Sequence, residues 1–152
     1  MPTAGKLALM PVLKEVRTVP RSRSEVFAYT ADFGNIEKWD PGVTASSRID
    51  QGPLKVGSAF TLMVKFGARQ VPMVYTVTTL EPDTRVVLEG VGDKLVAIDD
   101  IRFSDVAGGG TRIDYSADLQ FKGLLKFMTP LMGGVLDKVG KKALDGLAAH
   151  LQ

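Results

Sequence analysis

The chain has 152 residues, of which 45% are hydrophobic and 24% charged, with a formal net charge of +2. This size and composition predict one globular domain over residues 1–152. The small charge, without a basic run interleaved with aromatic residues, excludes nucleic acid as an expected partner. The absence of cysteine excludes disulfides and thiol chemistry and is compatible with a cytoplasmic location. Because no apolar stretch reaches ~20 residues and no cleavage pattern follows the N-terminal apolar run, we expect neither an integral membrane segment nor a signal peptide.

The first predicted elements are a strand and two short helices. Apolar and polar residues alternate over residues 12–19, which is the pattern of a half-buried strand. Ser22 followed three residues later by Glu25 forms a capping-box pattern, so we expect a short helix to begin there. Apolar residues then recur at helical spacing over residues 32–39, and Pro41 ends this second short helix.

The middle of the chain repeats short alternating segments that are separated by turn residues. The predicted strands cover residues 45–50, 58–66, 70–80, 85–91, 94–104 and 111–119. Since the loops between them are too short for parallel crossovers, all six strands are expected to be antiparallel. The run of three glycines at 108–110 lies between two strands and not before a helix, so it indicates a hairpin turn and not a phosphate-binding loop.

The last predicted element is a long amphipathic helix over residues 122–152. Its apolar residues recur at three- and four-residue intervals on one side, and its charges lie on the other side. Asp137 and Lys141 have the spacing of a weak ion pair. The apolar stripe needs a large apolar surface to pack against, and only the buried face of the sheet is large enough. The expected fold is therefore α+β, with a curved seven-stranded antiparallel sheet around the C-terminal helix and two short helices between strands 1 and 2.

The final helix has an unusual glycine content. Four glycines lie in its interior: Gly133, Gly134, Gly140 and Gly146. Each costs roughly 1 kcal/mol relative to alanine in a helix interior, and Pro130 removes a hydrogen bond unless Thr129 caps a new helix at that point. Small residues allow the helix either to pack closely against the sheet or to move relative to it. We therefore expect residues 124–134 to form the mobile lid of a pocket.

Short segments spread from residue 14 to the C-terminus carry a family resemblance. Glu25-Val26-Phe27 follows Pro20 at a short distance, Trp39-Asp40-Pro41-Gly42 comes next, and residues 52–57 and 109–113 supply two later turns. The order and spacing of these segments resemble the START-like helix-grip (SRPBCC) superfamily, in particular its polyketide cyclase/dehydrase and lipid-transport branch. The resemblance implies a hydrophobic cavity between sheet and helix that binds lipids, polyketides or isoprenoids. It transfers no catalytic residue, because one fold carries many functions.

One polar constellation is predicted inside this sheet. Period-two alternation places Asp99 on the apolar face of its strand and Asp100 on the other face, and the same alternation turns Tyr75 and Tyr115 inward. A buried carboxylate is costly unless it is paired, so these three residues are the candidates for orienting a ligand or for acid–base catalysis. The alternative is that Asp99 caps a β-bulge or lies at the solvent-exposed opening of the cavity, and that the tyrosines are ordinary core residues.

We expect the ligand to contact mostly apolar side chains of the strands and the final helix. The predicted contacts are Trp39, Phe60, Leu62, Val64, Met73, Tyr75, Val77, Leu88, Asp99, Ile101, Tyr115, Leu124, Met128 and Met132. The lone histidine, His150, is predicted to lie solvated near the chain end. With one histidine and no cysteine, we expect no metal site and no cofactor.

Three functions remain open at this stage. The first is binding or carriage of a hydrophobic small molecule without catalysis. The second is a cyclase or dehydratase that moves protons with Asp99, Tyr75 and Tyr115. The third and weakest is an accessory protein that presents the lysines of its last helix to a membrane or partner. Homodimer formation is also left open.

Overall fold

A computed structural model describes residues 12–123 and 133–152. The strands are β1 (Val12–Val19), β2 (Val43–Arg48), β3 (Ala59–Phe66), β4 (Arg69–Glu81), β5 (Arg85–Val91), β6 (Leu95–Asp105) and β7 (Thr111–Phe121). The helices are α1 (Arg23–Ala31), α2 (Ile36–Trp39) and α3 (Gly133–His150), with one turn of 3-10 helix at Phe33–Asn35.

The seven strands form one curled antiparallel sheet in the order β1-β7-β6-β5-β4-β3-β2. From β2 to β7 each strand pairs with the next one along the chain, and β1 adds to the free side of β7. The inner face of the sheet turns toward the helices. The predicted α+β helix-grip architecture is confirmed.

Local side-chain chemistry explains where the short helices begin. The hydroxyl of Ser22 accepts a hydrogen bond from the backbone N–H of Glu25 at 3.3 Å, which is the N-cap bond of the predicted capping box. The Glu25 carboxylate accepts from the Ser22 hydroxyl at 3.0 Å and not from the Ser22 backbone N–H as in a full capping box. Asp32 is extended and accepts from the N–H of Gly34 at 2.9 Å. This second cap starts a 3-10 turn, so residues 32–39 form that turn followed by the single helical turn α2.

The hairpin predicted at the three glycines joins β6 to β7. Gly108 and Gly109 have φ values of 94° and 91°, a region that side chains with a Cβ rarely adopt. The register of the two strands runs without a shift from Asp105 opposite Thr111 to Leu95 opposite Phe121. This unbroken register fixes which residues of β6 and β7 share the inner face.

The C-terminal half of the last helix packs tightly against the rest of the domain. Leu144, Leu147 and Leu151 are 2%, 0% and 4% exposed. A Cβ at Gly146 would overlap the backbone oxygen of Trp39, so glycine allows α3 to pack directly on α2. This close approach is one of the two roles that the sequence suggested for the glycines.

An ion-pair cluster joins the same helix to the edge strand β1. Arg17 donates to Asp145 at 2.9 Å, and Lys141 binds the other oxygen of Asp145 at 2.8 Å. The sequence spacing instead suggested a pair between Lys141 and Asp137. Asp145 lies four residues after Lys141, so it has the same helical spacing from that lysine as Asp137 does.

The N-terminal half of α3 packs differently from the predicted continuous apolar stripe. Val135 and Val139 are 60% and 43% exposed, although both belong to the stripe by spacing. They stand over a cavity and not against the sheet. Residues 124–132, which include Pro130 and most of the predicted lid, lie outside the described residues.

Candidate ligand-binding site

A cavity of about 380 Å³ separates the inner face of the sheet from the N-terminal half of α3. Its walls come from strands β1, β2, β3, β4, β6 and β7 and from both α2 and α3. Six of the residues predicted as ligand contacts line it: Leu62, Val64, Met73, Tyr75, Asp99 and Tyr115. The walls are mainly apolar, and their polar side chains other than the exposed Lys65 gather at one end. This arrangement has the size and character of a small-molecule site.

Five other predicted contacts do not line the cavity. Trp39, Phe60, Val77, Leu88 and Ile101 are almost completely buried in the core. Phe33 fills part of this region, with its ring centroid 6.3 Å from that of Phe60 and 5.4 Å from that of Tyr75. Trp39 belongs to α2, and the four strand residues share the inner face as expected, but helices cover that half of the face. Leu124, Met128 and Met132 lie outside the described residues.

The cavity wall also includes residues that the sequence reasoning did not select. They are Leu13, Glu15, Ile36, Asp40, Val43, Leu95, Ala117, Leu119, Phe121, Val135, Leu136, Val139, Ala143 and Leu144, among others. Alternation along β7 would have found Ala117 and Leu119, because both share a face with Tyr115. No sequence pattern indicates that Asp40 faces the cavity. It follows α2 in a turn, and in a turn no periodicity determines on which side a residue lies.

Asp99 is the polar centre of the cavity. It is 6% exposed and lies between Leu88 and Ala117 on the neighbouring strands. Tyr115 is two residues from Ala117 on β7, which places it diagonally opposite Asp99, and its hydroxyl donates a hydrogen bond to Asp99 Oδ2. Burial raises the pKa of Asp99 to about 7, although the hydrogen bond from Tyr115 opposes the rise. Near neutral pH this acid is therefore present both with and without its proton.

A second carboxyl group faces the same cavity. Asp40 is partly buried, and its Oδ1 accepts a hydrogen bond from the N–H of Gly42 at 2.8 Å. Burial raises the pKa of Asp40 to about 6, and this backbone hydrogen bond opposes the rise. The charge of Asp40 also raises the pKa of Asp99. Both acids line the cavity that a ligand would occupy.

Tyr75 is positioned by a glycine on the next strand. Gly90 lies directly opposite Tyr75 in the pairing of β4 with β5, and a Cβ at Gly90 would overlap the Tyr75 ring. Burial raises the pKa of both Tyr75 and Tyr115 well above 10. Both hydroxyls therefore keep their protons at neutral pH; Tyr115 donates its proton to Asp99, and Tyr75 remains available as a hydrogen-bond donor.

His150 lies on the surface of α3. It is exposed, as predicted, but its ring stacks on Tyr29 with centroids 6.3 Å apart. In the part of the chain that the structure describes, no three histidine, aspartate or glutamate side chains gather as metal ligands. None of the helices in that same part is long and apolar enough to cross a membrane.

This site can hold an apolar molecule and exchange a proton with one polar end of it. Asp99 can accept or give a proton near pH 7, while the hydroxyl of Tyr75 can donate a hydrogen bond to a ligand oxygen. The apolar walls exclude water and strengthen each polar contact.

The curled sheet, the gripped helix and the cavity between them define a START-like helix-grip protein. The chain belongs to the polyketide cyclase / dehydrase and lipid transport family, whose model matches residues 10–152. The family resemblance of the sequence is thereby confirmed. No curated protein matches the sequence significantly.

Solved structures from several bacteria share this fold. A protein from Thermus thermophilus is 12% identical with a TM-score of 0.78, and the match covers 93% of this chain and 97% of that one. The Zhui aromatase/cyclase from a Streptomyces species is 11% identical with a TM-score of 0.77 and 93% coverage of both chains. A START superfamily protein from Mycobacterium smegmatis is 14% identical with a TM-score of 0.72, covering 92% of this chain and 96% of that one.

Proposed function

We propose that this protein binds a hydrophobic small molecule of the lipid, polyketide or isoprenoid type in the cavity between the sheet and α3. The observation that carries the proposal is the cavity of about 380 Å³, with apolar walls and Asp99 with Tyr115 at one end. A core built only for stability would fill this space, because an unfilled cavity costs free energy in proportion to its volume. The family membership supports the same class of function.

Filling the cavity tests the proposal. Ala143 lines the cavity from α3 and is 6% exposed, whereas Ala149 lies on the exposed side of the same helix. We expect Ala143→Phe to weaken binding of the neutral probe N-phenyl-1-naphthylamine at least tenfold, because the new ring occupies the ligand volume. The matched variant Ala149→Phe should bind the probe like the unmodified protein. Fluorescence titration measures both affinities.

Two outcomes would contradict the proposal. One is that the unmodified protein does not bind the probe and that native mass spectrometry also finds no apolar compound bound to the purified protein. The other is that Ala143→Phe binds the probe unchanged, which would place the probe elsewhere. Ala117→Leu, which narrows the cavity from the sheet side, serves as a second variant if Ala143→Phe unfolds.

A second candidate function is catalysis of a cyclisation or dehydration. The observation in its favour is a carboxyl group with a pKa of about 7 that is hydrogen-bonded to a tyrosine inside an apolar cavity. Such a group can remove a proton next to a ketone and return it to a leaving hydroxyl. With a poly-β-keto thioester as substrate, Asp99→Asn is expected to lower kcat by roughly 10²-fold or more. Unaltered turnover in this variant would exclude Asp99 as the proton carrier.

A further inference from the structure

The cavity wall carries more acidic than basic groups. Three carboxyl groups line it, from Asp99, Asp40 and Glu15, and among the described residues Lys65 is its one basic side chain. Lys65 is exposed, which places its charge at the rim and in contact with water. Glu15 is balanced by Arg17, 2.8 Å away. Asp99 and Asp40 are thus the acids inside the cavity whose charge is not balanced by a cation in the described part of the chain.

Two acids outside the cavity are paired with arginines. Asp100, next to Asp99 but on the outer face, receives two hydrogen bonds from Arg85 at 3.1 and 3.0 Å. Arg48 binds Asp50 in the same two-pronged way. Asp99 instead accepts a hydrogen bond from a neutral tyrosine hydroxyl, and Asp40 accepts one from a backbone N–H. Each carboxyl lines the cavity and retains acceptor capacity that the bonds named here do not use.

We propose that the ligand of this cavity is an apolar molecule bearing an amine that is protonated at neutral pH, and that its ammonium group is held by Asp99 with attraction from Asp40. This inference rests on the proposed function, since it names the class of ligand for the same cavity. An ammonium group supplies the positive charge and the hydrogen-bond donors that would pair with the two carboxyl groups. The rings of Tyr75 and Tyr115 beside Asp99 add cation–π attraction.

The same charges select against a free fatty acid. A carboxylate ligand would bring a third negative charge to a desolvated end that already holds two acids, and this repulsion is not screened by water. An alcohol of the same shape would bind with intermediate strength, because its hydroxyl can donate to Asp99 but carries no charge. The expected order of affinity is therefore amine, then alcohol, then carboxylate.

Binding of the amine is coupled to protons. An ammonium group beside Asp99 and Asp40 favours their charged forms, so binding releases protons that the free protein holds near pH 7. The tyrosines stay protonated throughout, and an alkyl amine with a pKa of roughly 10.4 stays charged. Amine affinity should consequently rise between pH 6 and pH 8, while the affinity for the alcohol stays level or falls.

Calorimetry with three matched probes tests the inference: 2-(2-naphthyl)ethylamine, 2-(2-naphthyl)ethanol and 2-naphthylacetic acid at pH 7.5. The amine is expected to bind about tenfold or more tightly than the alcohol, as charge-assisted hydrogen bonds require. Asp99→Asn should reduce amine affinity to the level of the alcohol and leave the alcohol within about threefold. Asp93→Asn, in an exposed turn, is the control and should change neither affinity. Titrations in two buffers of different ionisation enthalpy measure the released protons.

The outcomes separate this inference from the proposed function. Equal affinities for the three probes, or tightest binding of the acid, would overturn the amine inference while binding in the cavity stands. Failure of the amine to bind would overturn it as well. Whether the cavity binds apolar molecules at all is decided independently by N-phenyl-1-naphthylamine. If Asp99→Asn does not fold, Asp40→Asn replaces it, with a smaller expected loss of amine affinity.

Discussion

At the scale of single residues, Asp99 shows a conflict between stability and function. Its ordinary pKa of 3.8 is raised to about 7 because burial disfavours the charged form. The folded protein therefore binds a proton more tightly than the unfolded chain does. Below about pH 4 this contribution to stability is fully present, and it is lost as the pH rises to about 7. Asp40, whose pKa is raised to about 6, acts in the same direction.

Replacing Asp99 with asparagine should remove most of this pH dependence. We expect the free energy of unfolding of the unmodified protein to fall between pH 5 and pH 8, and that of Asp99→Asn to fall much less. At pH 8 the variant should be the more stable protein, by at most on the order of 4 kcal/mol, which corresponds to the pKa shift. Urea unfolding at several pH values measures this. The control Asp93→Asn should keep the pH dependence of the unmodified protein, and an Asp99→Asn variant that also kept it would refute the assignment.

The sequence predicts which residues face inward but not what they meet there. Alternation along β6 separates Asp99 from Asp100 correctly, since one is buried and the other pairs with Arg85 on the outer face. The same alternation cannot distinguish Tyr75, which lines the cavity, from Val77, which is packed in the core. That difference depends on where the helices cover the sheet, and the covering contacts join residues far apart in the chain.

At the scale of elements, the strands were the most predictable and the final helix the least. β5 has the predicted bounds because turn residues flank an alternating segment on both sides. The helix carries several glycines whose roles differ, although all have the same intrinsic cost. At Gly146 the helix touches the backbone of Trp39, whereas a Cβ at Gly140 would be 3.7 Å from Leu13 and Glu15, which is ordinary contact. Helical periodicity cannot reveal this difference, because it depends on the neighbouring element.

Two alanine substitutions should therefore have opposite effects on stability. Gly146→Ala is expected to destabilise the protein by roughly 1–3 kcal/mol or more, because α3 must move away from α2. Gly140→Ala is expected to stabilise it by up to about 1 kcal/mol, since the helix gains propensity without overlap. Thermal and urea unfolding of both variants measure the signs. A stabilised Gly146→Ala variant would show that α3 does not pack on α2 as closely as the structure has it.

At the scale of the whole molecule, the domain has a packed end and a hollow end. The packed end contains α1, α2 and the C-terminal half of α3, where the leucines are buried and Arg17 binds Asp145. At the hollow end, Val135 and Val139 line the cavity and are still largely exposed. The cavity therefore reaches solvent beside the N-terminal half of α3. A ligand would bury these two valines and join that half of the helix to the sheet.

Ligand binding should consequently stabilise the two halves of α3 unequally. We expect N-phenyl-1-naphthylamine to slow amide hydrogen exchange more over residues 133–143 than over residues 144–150, because only the first half gains new apolar contacts. In addition, a free probe concentration of 100 times Kd should raise the free energy of global unfolding by about 2.7 kcal/mol. Exchange measured by mass spectrometry distinguishes the local effect from the global one. Ala143→Phe should show neither effect, since its cavity is filled. Equal protection of both halves would mean that the ligand adds only the global effect and makes no new contacts with residues 133–143. Protection confined to residues 144–150 would mean that the ligand does not reach the hollow end.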